Sequence, residues 1–192
     1  MNTIFIPFSY RETRNGIESV SMPSELFRER KLFLVGEIDS TSMGVLMQSL
    51  MCLESISDEP IELYINSPGG DVHSGLGVYR YMTEQMRSPL RTYCIGSCAS
   101  MAVILYLAGD ERYIYSGTEL MIHDPASISG TFEKPEALRE RLGMLENVKD
   151  TICRIIADRT DHDFEEIPEI TKKDMYFGAE EALEFGLATK VI

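Results

Sequence analysis

Residues Met101–Ala108 (MAVILYLA) form the longest apolar run of the chain, closing at Gly109-Asp110. Eight residues are too few to span a bilayer, and a helix that is apolar on every side belongs inside a core. The run follows Thr92–Ile95 (TYCI), which reads as a strand, through Gly96–Ser100 (GSCAS), which reads as a tight turn of small residues. A strand turning this sharply into a buried helix is the unit around which the rest must be arranged.

The same strand-then-helix grammar recurs along the chain. Lys31–Gly36 (KLFLVG) reads as a buried strand. Asp39 and Ser40 offer N-caps for a helix in which Met43, Leu46, Met47, Leu50 and Leu53 repeat at helical spacing. Ile61, Leu63 and Ile65 alternate with polar neighbours in a strand ending at Ser67-Pro68-Gly69-Gly70, and the next helix carries Val72, Leu76, Tyr79, Met82 and Met86 on one face. Short strands are expected at Arg112–Ser116 and Glu119–His123.

Phe132–Asp158 reads as a long amphipathic helix with Pro135 in its first turn and an apolar stripe of Leu138, Leu142, Leu145, Val148, Ile152 and Ile155. So small a domain leaves such a stripe uncovered, which implies assembly. A short helix over Ala179–Phe185, stopped by Gly186, leads to a last strand at Ala188–Ile192. This alternation predicts an α/β fold with largely parallel pairing. One domain over 21–192 is expected, preceded by a flexible arm over 1–20.

The 192 residues carry a net charge of −13, which repels nucleic acid and anionic membranes. No segment resembles a signal sequence or a spanning helix, so a cytoplasmic location is expected. Cys52, Cys94, Cys98 and Cys153 form no C-x-x-C pair, and with three histidines no familiar zinc spacing arises. Buried free thiols, and no metal, are expected.

Ser100 stands where a strand meets a helix N-terminus, beside N–H groups that have no intrahelical acceptor. Such groups suit the oxyanion of an acyl-transfer intermediate, although a serine there also serves as a plain N-cap. Gly69-Gly70 permits close backbone approach to a ligand, or is an ordinary turn. Among the histidines, His162 lies among acidic residues and reads as solvated, and His73 lies on the helix after Gly70. His123 ends an apolar strand before Asp124-Pro125, a place for a base or for a structural side chain. Asp174 enters an aromatic run, where a partly buried carboxylate needs a donor. It satisfies a histidine, caps a helix, or pairs with Lys172 or Lys173.

Four segments in this order, Asn66–Gly70 (NSPGG), Gly96–Met101 (GSCASM), Met121–Pro125 (MIHDP) and Asp174–Leu187 with its A-x-E-A-L-E-F-G-L, closely resemble the proteolytic subunit of the Clp protease family. The similarity runs from about Phe33 to Ile192. It implies a crotonase-like fold of stacked β-β-α units with a protruding handle helix, matched by about 132–158, and two heptameric rings stacked into a barrel. It also implies a serine endopeptidase acting on unfolded polypeptides, with Ser100 as nucleophile, His123 as base, Asp174 as acid, and the N–H groups of Gly70 and Met101 as the oxyanion hole. No cofactor is implied, since ATP is used by a separate AAA+ unfoldase; this chain has no P-loop.

The chain departs from the family pattern at several positions. Ser97 and Cys98 replace Gln and Ala, Ala102 replaces Gly, and Asp124 replaces a common Gln, placing a carboxylate next to the base in sequence. Ser127–Pro135 lacks the glycine-rich approach to the handle, and Glu62 stands for an aromatic residue in the unfoldase-docking pocket. Three other readings share these residues: a non-catalytic subunit of a mixed barrel containing a paralogue, a crotonase-type acyl-CoA enzyme, and a capsid-maturation protease of similar fold.

Overall fold

The structure, a computed structural model, describes residues 8–14, 16–126 and 134–192. In chain order its elements are β1 (Phe8–Thr13), β2 (Gly16–Ser21), α1 (Met22–Arg28), β3 (Lys31–Val35), α2 (Ser40–Ile56), β4 (Ile61–Ser67), α3 (Val72–Glu84), β5 (Leu90–Ala99) and α4 (Met101–Leu107). Then follow β6 (Glu111–Ile114), β7 (Glu119–Ile122), α5 (Pro135–Arg159), α6 (Ile167–Ile170), β8 (Met175–Gly178), α7 (Ala179–Glu184) and β9 (Lys190–Val191). The expected α/β class with parallel pairing is what forms: β3, β4, β5, β6 and β9 lie side by side in parallel.

Local chemistry sets the boundaries. Asp39 caps α2 reciprocally, its carboxylate accepting from the Ser42 N–H at 2.7 Å while the Ser42 hydroxyl accepts the Asp39 N–H. Asp71 caps α3 from one side only, its carboxylate accepting the Ser74 N–H at 2.7 Å. Alternation along β4 buries Ile61, Leu63 and Ile65 completely, and every residue of α4 is buried between the sheet and its neighbouring helices. Each large aliphatic side chain so buried contributes about 1.5–3 kcal/mol, so α4 is a major share of the core.

Two expectations need correction here. Gly96–Ala99 is not a turn: β5 continues to Ala99, pairing with β6 over Arg91–Cys94 and then with β7 over Ser97–Ala99. Against β4 its register jumps from Ile65↔Cys94 to Ser67↔Cys98, so β5 passes extra residues at this point. The Asn66 carboxamide oxygen fills the bulge, accepting the Ser97 N–H at 3.1 Å. A Cβ at Gly96 would lie 2.6 Å from that oxygen, which is why a glycine stands there. Cys52 is the second correction: it is exposed, while Cys94, Cys98 and Cys153 are buried as expected.

Of the expected arm over 1–20, the described part pairs as the antiparallel hairpin β1–β2, with Arg11 bridging to Glu25 of α1 at 3.0 Å. The long helix begins at Pro135, and the residues expected just before it, Phe132 and Glu133, lie outside the described residues. Its two halves differ. Ile152 and Ile156 are core, whereas Leu138, Leu142 and Met144 are exposed. No helix among the described residues is long and apolar enough to cross a membrane.

The segment after β4 makes a backbone-to-backbone contact with the one after β3. Ile38 N–H donates to the Gly69 carbonyl and Asp71 N–H donates to the Ile38 carbonyl, both at 2.8 Å. Gly70 has φ +146°, and a Cβ on it would lie 2.2 Å from the Ile38 carbonyl oxygen. Gly70→Ala is therefore expected to lower unfolding free energy by at least about 2 kcal/mol in urea titration. In the last turn of α2, the buried Glu54 carboxylate accepts the N–H groups of Arg87 at 3.0 Å and Ser88 at 2.9 Å. Burial opposes its ionisation, but hydrogen bonds from Ser88 and Arg87 outweigh it and hold the pKa below the ordinary 4.5. A lowered folded-state value adds stability above the unfolded pKa that is lost as pH falls. Glu54→Gln should thus lower the urea midpoint at neutral pH, with the gap to the parent narrowing between about pH 5 and pH 3.

Candidate active site

The sharp turn that the sequence assigns to several residues is concentrated in one. Ser100 has φ +56° and ψ −124°, a strained conformation for a residue with a Cβ. Hydrogen bonds on both sides hold it there: its N–H donates to the Met121 carbonyl of β7 at 2.8 Å, and its carbonyl accepts the Val103 N–H at 3.0 Å. Its hydroxyl makes no capping bond to α4. The plain N-cap reading therefore fails, and the side chain is left half-buried with its oxygen uncommitted among the described residues.

A cavity of about 90 Å³ opens at this turn, lined by Ser100, Met101, Gly70 and His123. Apolar side chains of Val72, Ile104, Ile122, Ile152 and Ile156 make up much of its wall. Gly69 packs against the turn so closely that a Cβ on it would lie 2.8 Å from the Ser100 Cβ. Among the described residues, the N–H groups of Gly70 and Met101 meet no hydrogen-bond acceptor. Two free backbone donors thus share one cavity with a hydroxyl and an imidazole.

His123 follows the last residue of β7, and Asp174 precedes the first residue of β8. The two strands are antiparallel with Ile122 opposite Met175, so the register carries His123 opposite Asp174. Asp174 is exposed, against the expectation of partial burial, because β8 is an edge strand that, among the described residues, pairs only with β7. It neither caps a helix nor pairs with a lysine among the described residues, and Lys172 bonds Glu169 instead at 2.6 Å. Among those residues no hydrogen bond joins Ser100 to His123 or His123 to Asp174. The structure brings Ser100, His123, Gly70 and Met101 to one cavity and leaves Asp174 beside it.

The other histidines stand elsewhere. His73 is exposed and lies outside the cavity lining. His162 is more than a solvated residue: its ring stacks on Phe185 at 4.1 Å and its Nδ1 is 3.2 Å from Glu166. Asp124 does not turn to the His123 ring. Its carboxylate accepts from the Thr171 hydroxyl and from the Lys149 ammonium, each at 2.5 Å. Nothing in the local sequence signals these partners, since Lys149 reads as a solvated residue on an amphipathic helix. Among the described residues no cluster of three or more His, Cys, Asp or Glu side chains is arranged to hold a metal.

On the outer face, Phe33, Tyr64, Tyr93 and Tyr113 stack in a row across β3, β4, β5 and β6 with ring centroids 4.5–5.0 Å apart. Glu62 accepts from the Tyr64 hydroxyl at 2.8 Å and the Tyr93 hydroxyl at 3.4 Å. Burial first, then this carboxylate, pushes the Tyr93 hydroxyl up to about 12.

Comparison with known proteins agrees with the geometry. Residues 14–192 match the family Clp protease. The ATP-dependent Clp protease proteolytic subunit of Carsonella ruddii (strain PV) is 30% identical over 191 residues, 98% of this chain and 97% of that protein. A match along nearly the whole length, with the four sequence motifs in order, shows that this chain belongs to the Clp protease family.

Proposed function

We propose that the chain is a serine endopeptidase subunit that hydrolyses peptide bonds of unfolded polypeptides inside a barrel-shaped oligomer fed by an ATP-dependent AAA+ unfoldase. The observation that carries this reading is Ser100 itself. A strained backbone, an uncapped hydroxyl, a cavity shared with His123 and two N–H donors unoccupied among the described residues serve no purpose in packing. Family membership then supplies the substrate class.

In this reading His123 takes the Ser100 proton as the oxygen attacks a peptide carbonyl, and later returns a proton to the leaving amine. Gly70 and Met101 N–H groups receive the oxyanion, each donor worth about 3–4 kcal/mol in such sites. Asp174 holds the imidazole in the required tautomer from across the β7–β8 ladder. Water releases the acyl-enzyme. Every step is carried by this chain's own residues, with no metal or organic cofactor. Hydrogen bonds among the three side chains form in the assembled or substrate-bound state, as loosely placed catalytic groups commonly do.

The parallel succession β3–α2–β4–α3–β5–α4 fits stacked β-β-α units of the crotonase-like kind, and α5 fits the handle. Its exposed Leu138, Leu142 and Met144 would then be covered by subunits of a second heptameric ring, of this chain or of a paralogue. The hairpin within 8–21 is read as the axial loop, and the cytoplasm as the compartment. The aromatic row with Glu62 at its centre is read as the surface for the unfoldase.

Labelling with a serine-directed fluorophosphonate, read by intact mass and peptide mapping across protein concentrations, tests this reading. One adduct is expected, on Ser100, in the assembled fraction, and none in Ser100→Ala. His123→Ala should slow peptide hydrolysis by more than about a thousandfold. Absence of an adduct in every assembly state would overturn the reading and make this a structural subunit.

A further inference from the structure

Strand pairing ends at Ile122, one residue short of His123. Nothing in the β7 ladder therefore fixes the imidazole, and its direction depends on what holds the next residue. Asp124 is held three times. Its N–H donates to the Thr171 carbonyl at 2.8 Å, one carboxylate oxygen accepts from the Thr171 hydroxyl at 2.5 Å, and the other accepts from Lys149 at 2.5 Å. Pro125 follows, with its φ fixed by the ring, and lines the cavity.

Each anchor is itself fixed. Thr171 is 1% exposed, and its N–H donates to the Ile167 carbonyl at 3.0 Å as α6 ends. Lys149 rises from α5, three residues before Ile152, whose side chain lines the cavity. The Lys149–Asp124 pair is half-buried, with side-chain exposures of 26% and 31%. An exposed ion pair contributes little, but a short charge-assisted bond in a half-buried, three-sided setting fixes direction as well as distance. The hydrogen bond to Asp124 also raises the Lys149 pKa, so the ammonium stays charged throughout the working range.

We propose that Asp124 is a positioning residue for His123, clamped by Lys149 to the helix that forms the cavity wall and by Thr171 to the segment that leads into Asp174. The inference rests on the serine-peptidase reading. It assigns to a residue outside the cavity lining the task of holding the imidazole toward Ser100, and it ties that placement to α5.

The test uses the assembled full-length protein and a short blocked fluorogenic peptide with an apolar residue before the cleaved bond, in the parent and in Asp124→Asn, Lys149→Met and Asp124→Asn/Lys149→Met. Misplacing a catalytic group by a fraction of an ångström costs on the order of tenfold or more in rate. A fall of about tenfold in kcat is thus expected for Asp124→Asn, with KM within about twofold and the rate of Ser100 labelling falling in parallel. The double variant should be no slower than Asp124→Asn alone, since both changes break one contact. Thr171→Ser, which keeps the hydroxyl, should recover activity that Thr171→Val loses. Sedimentation and melting midpoints matched to the parent are required of each sample, and Lys149→Met decides alone if Asp124→Asn does not assemble. An active parent whose kcat is unchanged in these variants, or in which the two losses multiply, overturns the positioning role and leaves the peptidase reading intact. A parent with neither peptide hydrolysis nor a Ser100 adduct overturns both.

Discussion

The structure depends on one constraint: a helix buried on all sides, α4, is entered from a sheet strand with a single residue between them. Elsewhere a strand enters a helix through extended backbone, at Ser21 before α1 and at Gly178 before α7, but the joint before α4 does not. Ser100 absorbs the change of direction at φ +56°, and its cost, about 1–3 kcal/mol, persists because β7 and α4 bond its backbone on both sides. The core around α4 is what makes that strain affordable. The same geometry turns the Ser100 side chain away from capping and leaves the Met101 N–H without an acceptor among the described residues. The uncapped hydroxyl and the open N–H, read here as nucleophile and oxyanion donor in the proposed function, are thus two consequences of one joint.

A second layer of constraint comes from the turns that pack on this joint. Gly69 has φ +92° and lies against Ser100, while Gly70 carries the contact to Ile38. The sheet forks here as well, since β5 leaves β6 at Cys94 and takes up β7 at Ser97. By forking, β5 brings the end of β7, and hence His123, next to its own last residue. Had β5 ended at Ile95, as its sequence suggests, no ladder would connect the histidine strand to the serine.

The alternation in β4, the helical spacing in α2 and the Asp39 cap were legible because each is a local pattern with one physical solution. What escaped was non-local. The strand character of Gly96–Ala99 comes from pairing with β7 and from Asn66 filling the bulge, and neither is visible in a run of small residues. Elements α6 and β8 are four residues each, too short for a periodicity to declare itself. Ser100 and His123 were individually ambiguous and became specific only together, through the resemblance of four ordered motifs. Asp174 is exposed where partial burial is expected, since burial of an edge strand depends on what, if anything, pairs with its free side. Lys149 and Thr171, 25 and 47 residues from Asp124, had no local signal at all.

The helix α5 joins these layers. Its C-terminal half supplies Ile152 and Ile156 to the cavity wall and Lys149 to the Asp124 clamp, while its N-terminal half carries Leu138, Leu142 and Met144 into solvent. A continuous helix is stiff over this length, so a force on its exposed half is carried to the half that touches the site. The exposed apolar surface is unfavourable in water and is relieved only by contact with another apolar surface. Whatever covers it therefore acts on a rigid element whose Lys149 holds Asp124, the residue after His123. The Lys149–Asp124 contact attaches α5 to the residue after His123, whereas the Ser100 backbone is held by Met121 of β7 and by α4. In the serine-peptidase reading, movement of α5 would bear on the base through Asp124 and on the cavity wall through Ile152 and Ile156.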